Sequence, residues 1–443
     1  MLKRIPITEL RLGMYIHELC GSWLDHPFWR GSFKLSDEKD LHQIVESSIT
    51  EVWIDPERGL DTAGGVSSGA SDAQVATYIA NVVDRQVARA PVSQRVSMRD
   101  ELETAAKLCA TSRTAVADMF REARMGQAID AGRADALVGE IAASVMRNPD
   151  ALISVAGLKT IDDYTYMHSI AVCALMIALA RKLSMAEKDV REAGLAGMLH
   201  DVGKMMIPSA ILNKPGKLTD EEFTCIKTHP AEGHRMLQQG GGVSATVLDV
   251  CLHHREKMDG SGYPERLKGE QISLIAKMGA VCDVYDAITS DRPYKKGWDP
   301  AEALRKMAEW KNGHFDDAVF GAFVKSMGIY PVGSLVRMQS GRLGVIVEQS
   351  GQSLLTPKVK LFFSTKSQER IVPVVVDLAD AKTTDRIASR EDPEKWRFPD
   401  LATLWQGAVT ACCRHRVKLL LRAPQGLGVD QYKRHMAGLI AAV

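Results

Sequence analysis

The chain lacks a charge excess of either sign: 56 Lys and Arg stand against 55 Asp and Glu in 443 residues. A duplex nucleic-acid binder carries a basic excess or stripe, so no nucleic-acid duplex is expected as a partner. A small phosphate substrate remains open, because it needs only a few local cations. Cysteine occurs eight times, at 20, 109, 173, 225, 251, 282, 412 and 413, and never as C-x-x-C. Most of these lie in apolar, helix-like stretches, which fits buried reduced thiols of a cytoplasmic protein better than a disulfide frame. The opening MLKRIPITELRLG has no apolar core of a signal peptide. Long apolar runs are missing as well. The longest, Ile170 to Ala180, is too short to span a bilayer and is closed by Arg181 and Lys182. A soluble protein with no membrane partner is expected.

What is present divides the chain. Residues 1–56 read as mixed α/β, with β-like runs between Arg4 and Ile16, a helix over Ser36 to Ser47 and a strand at Glu51 to Ile54. Residues 59–72, GLDTAGGVSSGASD, have the composition of a mobile linker. From Val75 to Lys325 helical periodicity dominates. Ser184-x-x-Glu187 and Thr219-x-x-Glu222 fit capping boxes, and Asp299-Pro300-x-Glu302 combines an N-cap, an N1 proline and an N3 acid. Between 331 and 380 short β-rich runs take over, at Ser334 to Met338, Gly344 to Glu348, Lys358 to Phe363 and Ile371 to Val376. Residues 386–443 form a tail of no assignable role. The units are therefore drawn as 1–130, 131–330, 331–385 and 386–443. The long helices between Met98 and Arg147 suit either a homodimer interface or an intrachain core.

Five places in the helical region supply groups that bind metals: His168, His200-Asp201, His229, His253-His254 and Asp283. Imidazole and carboxylate together suit borderline divalent ions such as iron, manganese or zinc. Neighbouring side chains on a helix diverge by about 100°, so an aspartate beside a histidine can bridge two ions while the histidine binds one. A lone His-Asp pair is weak evidence. Here, however, apolar residues flank it on both sides, and burying His200, Asp201 and Lys204 requires charged or metal partners. The bland alternative is a structural ion pair between Asp201 and Lys204, three residues apart. Two adjacent ions suit phosphodiester cleavage, since they bind phosphate oxygens and make hydroxide available at neutral pH. Lys204, Arg292 and Lys295 are candidate phosphate clamps, the last two being otherwise a solvated loop. Asp259-Gly-Ser-Gly-Tyr-Pro264 demands a tight loop, read either as a plain turn or as a wall of the site.

Taken in order, these blocks resemble the HD-GYP family of the HD phosphohydrolase superfamily. The likeness runs from Tyr164 to Phe323. It is carried by Tyr164-Thr-Tyr-Met-His-Ser169, Leu199-His-Asp-Val-Gly-Lys204, Ile211 to Leu218, His229-Pro230, His254 to Pro264, Leu267 to Glu270 and Asp283 to Tyr294. The resemblance implies a mainly α fold: an HD-type helical bundle catalytic domain, a small mixed α/β N-terminal domain and a short β-rich C-terminal appendage. It implies hydrolysis of cyclic di-GMP to pGpG or GMP by a hydroxide bridging two divalent metal ions, iron or manganese. The implied ligands are His168, His200, Asp201, His229, His254 and Asp283, with Asp201 bridging and Asp201 and Lys204 catalytic. Lys204, Arg292 and Lys295 would hold substrate. Gly262, Tyr263 and Pro264 would contact diguanylate cyclase (GGDEF) partners. Residues 1 to about 130 are similar to a domain of unknown function often found ahead of HD-GYP.

Two departures stand out. The family pattern places two histidines before a glutamate; counting back from Asp259, these positions hold His254, Arg255 and Glu256. His253 could serve only if the chain shifted by one residue. The position four before His168, where some members carry a glutamate tied to a third metal, is Tyr164. Both departures point to two metals, and Arg255 to a slower enzyme or one that stops at pGpG. Three readings follow: an active phosphodiesterase, a weakly catalytic cyclic di-GMP receptor or adaptor, and an HD hydrolase acting on another nucleotide. His17, His26, His42, His234, His314, His415 and His435 match no ligand position and are read as structural or solvent-facing.

Overall fold

The computed structural model describes residues 2–20, 32–45, 49, 51–62, 66–67, 96–156, 164–212, 214, 218–290, 297–350 and 353–406. At the N-terminus, strands β1 (Lys3–Pro6), β2 (Tyr15–Cys20), β3 (Phe33–Lys34), β4 (Glu51–Ile54) and β5 (Val66–Ser67) form one antiparallel sheet in the order β3-β2-β4-β1-β5. Alternation decides which face is covered: Ile5, Ile16, Val52 and Ile54 are buried together with Leu35 and Ile44, the last from α1 (Glu38–Val45). Within the stretch read as a linker, Val66 and Ser67 pair with Arg4 and Lys3; residues 63–65 and 68–72 lie outside the described residues.

The helical body follows as α2 (Met98–Arg124), α3 (Ala131–Arg147), α4 (Pro149–Ala156), α5 (Tyr164–Lys182), α6 (Glu187–Leu199), α7 (Ser209–Leu212), α8 (Asp220–Ile226), α9 (His229–Gly240), α10 (Ala245–His253), α11 (Leu274–Thr289), α12 (Pro300–His314) and α13 (Asp317–Met327). Its axis is α5, buried continuously from Met167 to Ala180, which is what a helix apolar on every face requires. No helix among the described residues is long and apolar enough to cross a membrane. The apolar face of α2, including Leu102, Cys109, Met119 and Phe120, packs into this same core. Buried Glu101 fastens it by accepting from Ser144 Oγ at 2.8 Å and Arg147 Nε at 2.7 Å. The segment drawn from sequence as 1–130 thus contains both the N-terminal sheet and a helix of the central core.

Two of the three capping signals are realised. Thr219 and Glu222 form a reciprocal capping box, and Asp299 accepts from the N–H groups of Ala301 and Glu302 with Pro300 at the first helical position. The Ser184 signal is corrected. Ser184 adopts φ 57° and donates its N–H to Arg181 O, while Met185 N–H reaches Ala180 O. It therefore closes α5 in a left-handed turn, and α6 starts after Ala186 without a side-chain cap.

Strands β6 (Leu335–Met338), β7 (Arg342–Glu348), β8 (Lys358–Ser364), β9 (Glu369–Asp377) and β10 (Ile387–Arg390) make the second antiparallel sheet, in the order β10-β6-β7-β8-β9. Part of the segment read as a tail belongs to it: β10 pairs with β6, and Trp396, Phe398 and Trp405 cover Phe362 and Phe363. Residues 407–443 lie outside the described residues. Helix α12 stands between the two sheets. Lys306 bonds Glu18 of β2, and Arg390 of β10 reaches Asp299 at 3.1 Å and Glu302 at 2.6 Å.

Candidate metal centre

The metal-binding residue types are delivered by helix ends and by two central helices. His168 comes from α5, and His200 and Asp201 directly follow the last turn of α6. His229 opens α9, His254 is the C-terminal cap of α10, and Asp283 projects from α11. All six are buried. The ends of α6 and α10 put partial negative charge beside His200 and His254, a setting that favours cations.

The side chains form two groups that share one carboxylate. His168, His200, Asp201 and Asp283 make one, and Asp201, His229 and His254 make the other. Asp201 Oδ2 lies 3.3 Å from His168 Nε2 and 3.3 Å from His200 Nε2. Its Oδ1 lies 3.4 Å from His229 Nε2 and 3.7 Å from His254 Nε2. Asp283 Oδ1 adds to the first group at 3.0 Å from His168 Nε2. The ion pair of the bland reading is also present, since Lys204 Nζ donates to Asp201 Oδ2 at 2.5 Å. It is one contact of a larger cluster.

Backbone carbonyls fix the ring tautomers. Nδ1 of His200 faces Gly197 O at 2.7 Å, that of His229 faces Ile226 O at 2.7 Å, and that of His254 faces Val250 O and Cys251 O at 3.1 Å each. A carbonyl only accepts, so each of these Nδ1 atoms carries a proton and each ring turns its Nε2 inward toward Asp201. His229 Nε2 and His254 Nε2 then confront each other at 3.2 Å as two acceptors. Burial holds His229 well below its ordinary pKa and lowers His254 to about 4, so both rings are neutral at pH 7. Two lone pairs at that separation call for a cation between them. Buried His200 Nε2, Asp201 Oδ1 and Asp283 Oδ1 likewise lack hydrogen-bond partners.

Charge points the same way. Burial works to raise the Asp201 pKa, yet Lys204 and His200 outweigh it and hold the carboxyl well below its usual range. Asp283 is also driven down, Arg255 being the main opponent of its burial. Conversely, burial depresses His200, but Asp201 overcomes this and lifts it to about 9. The proton that His200 thereby keeps at neutral pH offsets the carboxylates, and divalent ions can take over that role. The donors present, imidazole nitrogen and carboxylate oxygen, fit such ions.

One residue of the site carries no assigned role in the sequence reading. Asp286, one helical turn beyond Asp283 on α11, accepts from His168 Nδ1 at 2.5 Å and so does for His168 what carbonyls do for the other three rings. The i, i+3 spacing of Asp283 and Asp286 is the signal that could have singled it out. Asp286→Asn should weaken metal affinity by roughly 10–100-fold while leaving the fold intact, as titration with Mn²⁺ and circular dichroism would report.

Adjacent histidines have different destinations. His254 enters the cluster, whereas His253 turns to Asp249 at 2.7 Å and Glu265 at 3.4 Å. Arg255 places Nη2 3.0 Å from Asp283 Oδ2. Buried Glu256 accepts from the N–H groups of Glu265 and Leu267, fixing the loop that carries Gly262, Tyr263 and Pro264. The Tyr263 ring centroid lies 6.4 Å from that of His229, so this loop borders the cluster. Arg292 and Lys295 lie outside the described residues. His314 stacks on Phe315 at 4.2 Å.

Comparison with known proteins gives consistent relatives. A family model described as a domain of unknown function matches residues 2–134, and one described as an HD domain matches residues 150–319, a span that holds all six buried residues. A cyclic di-GMP phosphodiesterase of Pseudomonas aeruginosa is 59% identical over 408 residues, covering 92% of this chain and 96% of its own. A cyclic di-GMP phosphodiesterase response regulator of Xanthomonas campestris is 40% identical over 149 residues, 33% of this chain and 39% of its own. A 3'3'-cGAMP-specific phosphodiesterase of Vibrio cholerae is 36% identical over 168 residues, 38% of this chain and 39% of its own.

Proposed function

This chain belongs to the HD-GYP family of HD-domain cyclic di-GMP phosphodiesterases, and from that premise we propose that it hydrolyses cyclic di-GMP to pGpG or GMP at the cluster around Asp201. The observation that carries the reading is the pair of buried ligand groups meeting at the two oxygens of one carboxylate. His168, His200, Asp201 and Asp283 would hold one divalent ion, and Asp201, His229 and His254 a second. Iron or manganese suits this mixed nitrogen and oxygen set. Two such ions, when bound, neutralise phosphate charge and lower the pKa of water. The protein's own groups do the rest. Asp201 fixes the separation of the two positions, and Lys204 holds Asp201 while keeping its side chain 15% exposed beside the site, where a phosphate oxygen can meet it. Arg292 and Lys295 are assigned to substrate on the sequence resemblance alone. The same resemblance supports a GGDEF-domain partner at the Gly262–Pro264 loop, and the cysteine usage supports a cytoplasmic site of action.

A receptor or adaptor is the second reading, favoured by the Arg255–Asp283 ion pair within the cluster. The test is to purify the protein with iron or manganese, count the metal, and incubate it with cyclic di-GMP and, separately, 3'3'-cGAMP. Two ions per chain with turnover of cyclic di-GMP are expected. Bound metal and tight nucleotide binding without turnover would establish the receptor. Faster cleavage of 3'3'-cGAMP would change the substrate, and three ions per chain would overturn the two-metal assignment.

A further inference from the structure

Asp283 divides its two oxygens between different partners. Oδ1 faces His168 Nε2 at 3.0 Å and His200 Nε2 at 3.8 Å, inside the ligand group. Oδ2 faces Arg255 Nη2 at 3.0 Å, with the Arg255 side chain 10% exposed. The guanidinium is therefore part of the cluster's wall, and it is delivered from a backbone that is itself held. The Arg255 carbonyl accepts the Tyr263 N–H at 3.2 Å. Gly262 can lie on this segment only because it has no side chain: a Cβ there would stand 2.7 Å from Arg255 O and 2.5 Å from Glu256 Cα. Glu256 then ties the far side of the loop through Glu265 and Leu267.

We propose that Arg255 is a positioning residue for Asp283, a built-in cation that keeps this half of the site assembled when no ion is bound and leaves Asp283 one oxygen for metal. The inference rests on the metal reading above and extends it to the ion-free protein. Its physical basis is that a guanidinium cannot lose its proton in a protein, so its charge persists whatever the metal loading. A buried carboxylate deprived of its partner is strongly destabilising, and an incoming divalent ion can supply the same compensation. Arg255 and metal thus overlap in what they stabilise, and the need for Arg255 should fall as metal binds.

The experiment compares thermal unfolding of native protein and Arg255→Gln, each after chelation and after loading with Mn²⁺, alongside metal counting. Chelated R255Q should melt roughly 5–10 °C below chelated native protein, and Mn²⁺ should remove at least half of that gap. A gap of equal size in both states would make Arg255 merely structural, and no gap in either would make it dispensable; each overturns the proposal. Should R255Q aggregate, Arg255→Lys carries the same comparison: its smaller deficit must close with Mn²⁺, and an unchanged deficit overturns the idea. Native protein that takes up no Mn²⁺ would instead sink the metal reading itself.

Discussion

Asp201→Ala is expected to abolish turnover of cyclic di-GMP, by on the order of 10³-fold or more, equivalent to about 4 kcal/mol of transition-state stabilisation. No other side chain among the described residues belongs to both ligand groups. Losing it removes the Oδ2 that faces His168 and His200 and the Oδ1 that faces His229 and His254, so both ion positions lose a donor in one step. Lys204 loses the acceptor 2.5 Å from its ammonium, and the charge that lifts His200 to about 9 disappears with it. Metal content should therefore fall together with activity. Asp201→Asn separates the two contributions: the amide keeps the shape but cannot supply negative charge, so it should also lose metal while melting close to native protein in chelator. Persistent activity in either variant, measured with metal content below half the native value, would rule out the shared-carboxylate site.

The sequence made this site legible unevenly, for reasons that particular residues show. His168 and Asp283 are far apart in the chain, and spacing alone cannot say that α5 and α11 cross at the cluster; only the ordered series of blocks connected them. His253 and His254 could not be separated by periodicity, because both end α10, and the outcome depends on where the helix stops and its cap turns. Asp286 carried a usable signal in its spacing from Asp283. Elsewhere local chemistry spoke plainly. Thr219 and Asp299 cap their helices as their neighbours require, whereas Ser184 shows that a serine three residues before a glutamate can equally close the preceding helix. The β-rich runs between 334 and 376 became strands β6 to β9 as their β-branched composition requires, yet Val372, Val374 and Val375 of β9 stay exposed, and the covering of Phe362 and Phe363 by Trp396 and Phe398 is announced by no pattern in the strands.

Gly203→Ala should be nearly as damaging as the loss of a ligand, although Gly203 binds nothing. It sits in the short 3-10 turn Val202–Met206, directly after Asp201, where the backbone of α9 crosses it. A Cβ at this position would stand 2.0 Å from His229 O, 2.4 Å from Gly233 N and 2.9 Å from Gly233 Cα. Every one of these atoms is main chain, so no rotamer change can relieve the overlap, and α9 must move away from the turn. His229 is the first residue of α9 and turns its Nε2 toward Asp201 and His254. The displacement therefore opens the His229 half of the site while the His168 half keeps its donors. Overpacking of this kind costs about 1–3 kcal/mol and more where backbone must shift, so a fall in melting temperature of roughly 5 °C or more is expected. Metal analysis should find about one ion per chain, against the two expected of native protein. Gly126→Ala serves as the control: Gly126 has φ 76°, and a methyl group placed on it would meet nothing within 4 Å, so the substitution brings backbone strain without crowding. That variant should lose about 1 kcal/mol and keep its full metal content. If Gly203→Ala instead retained both ions and the native melting temperature, the close approach of α9 to the His-Asp turn would not be what holds His229 in place.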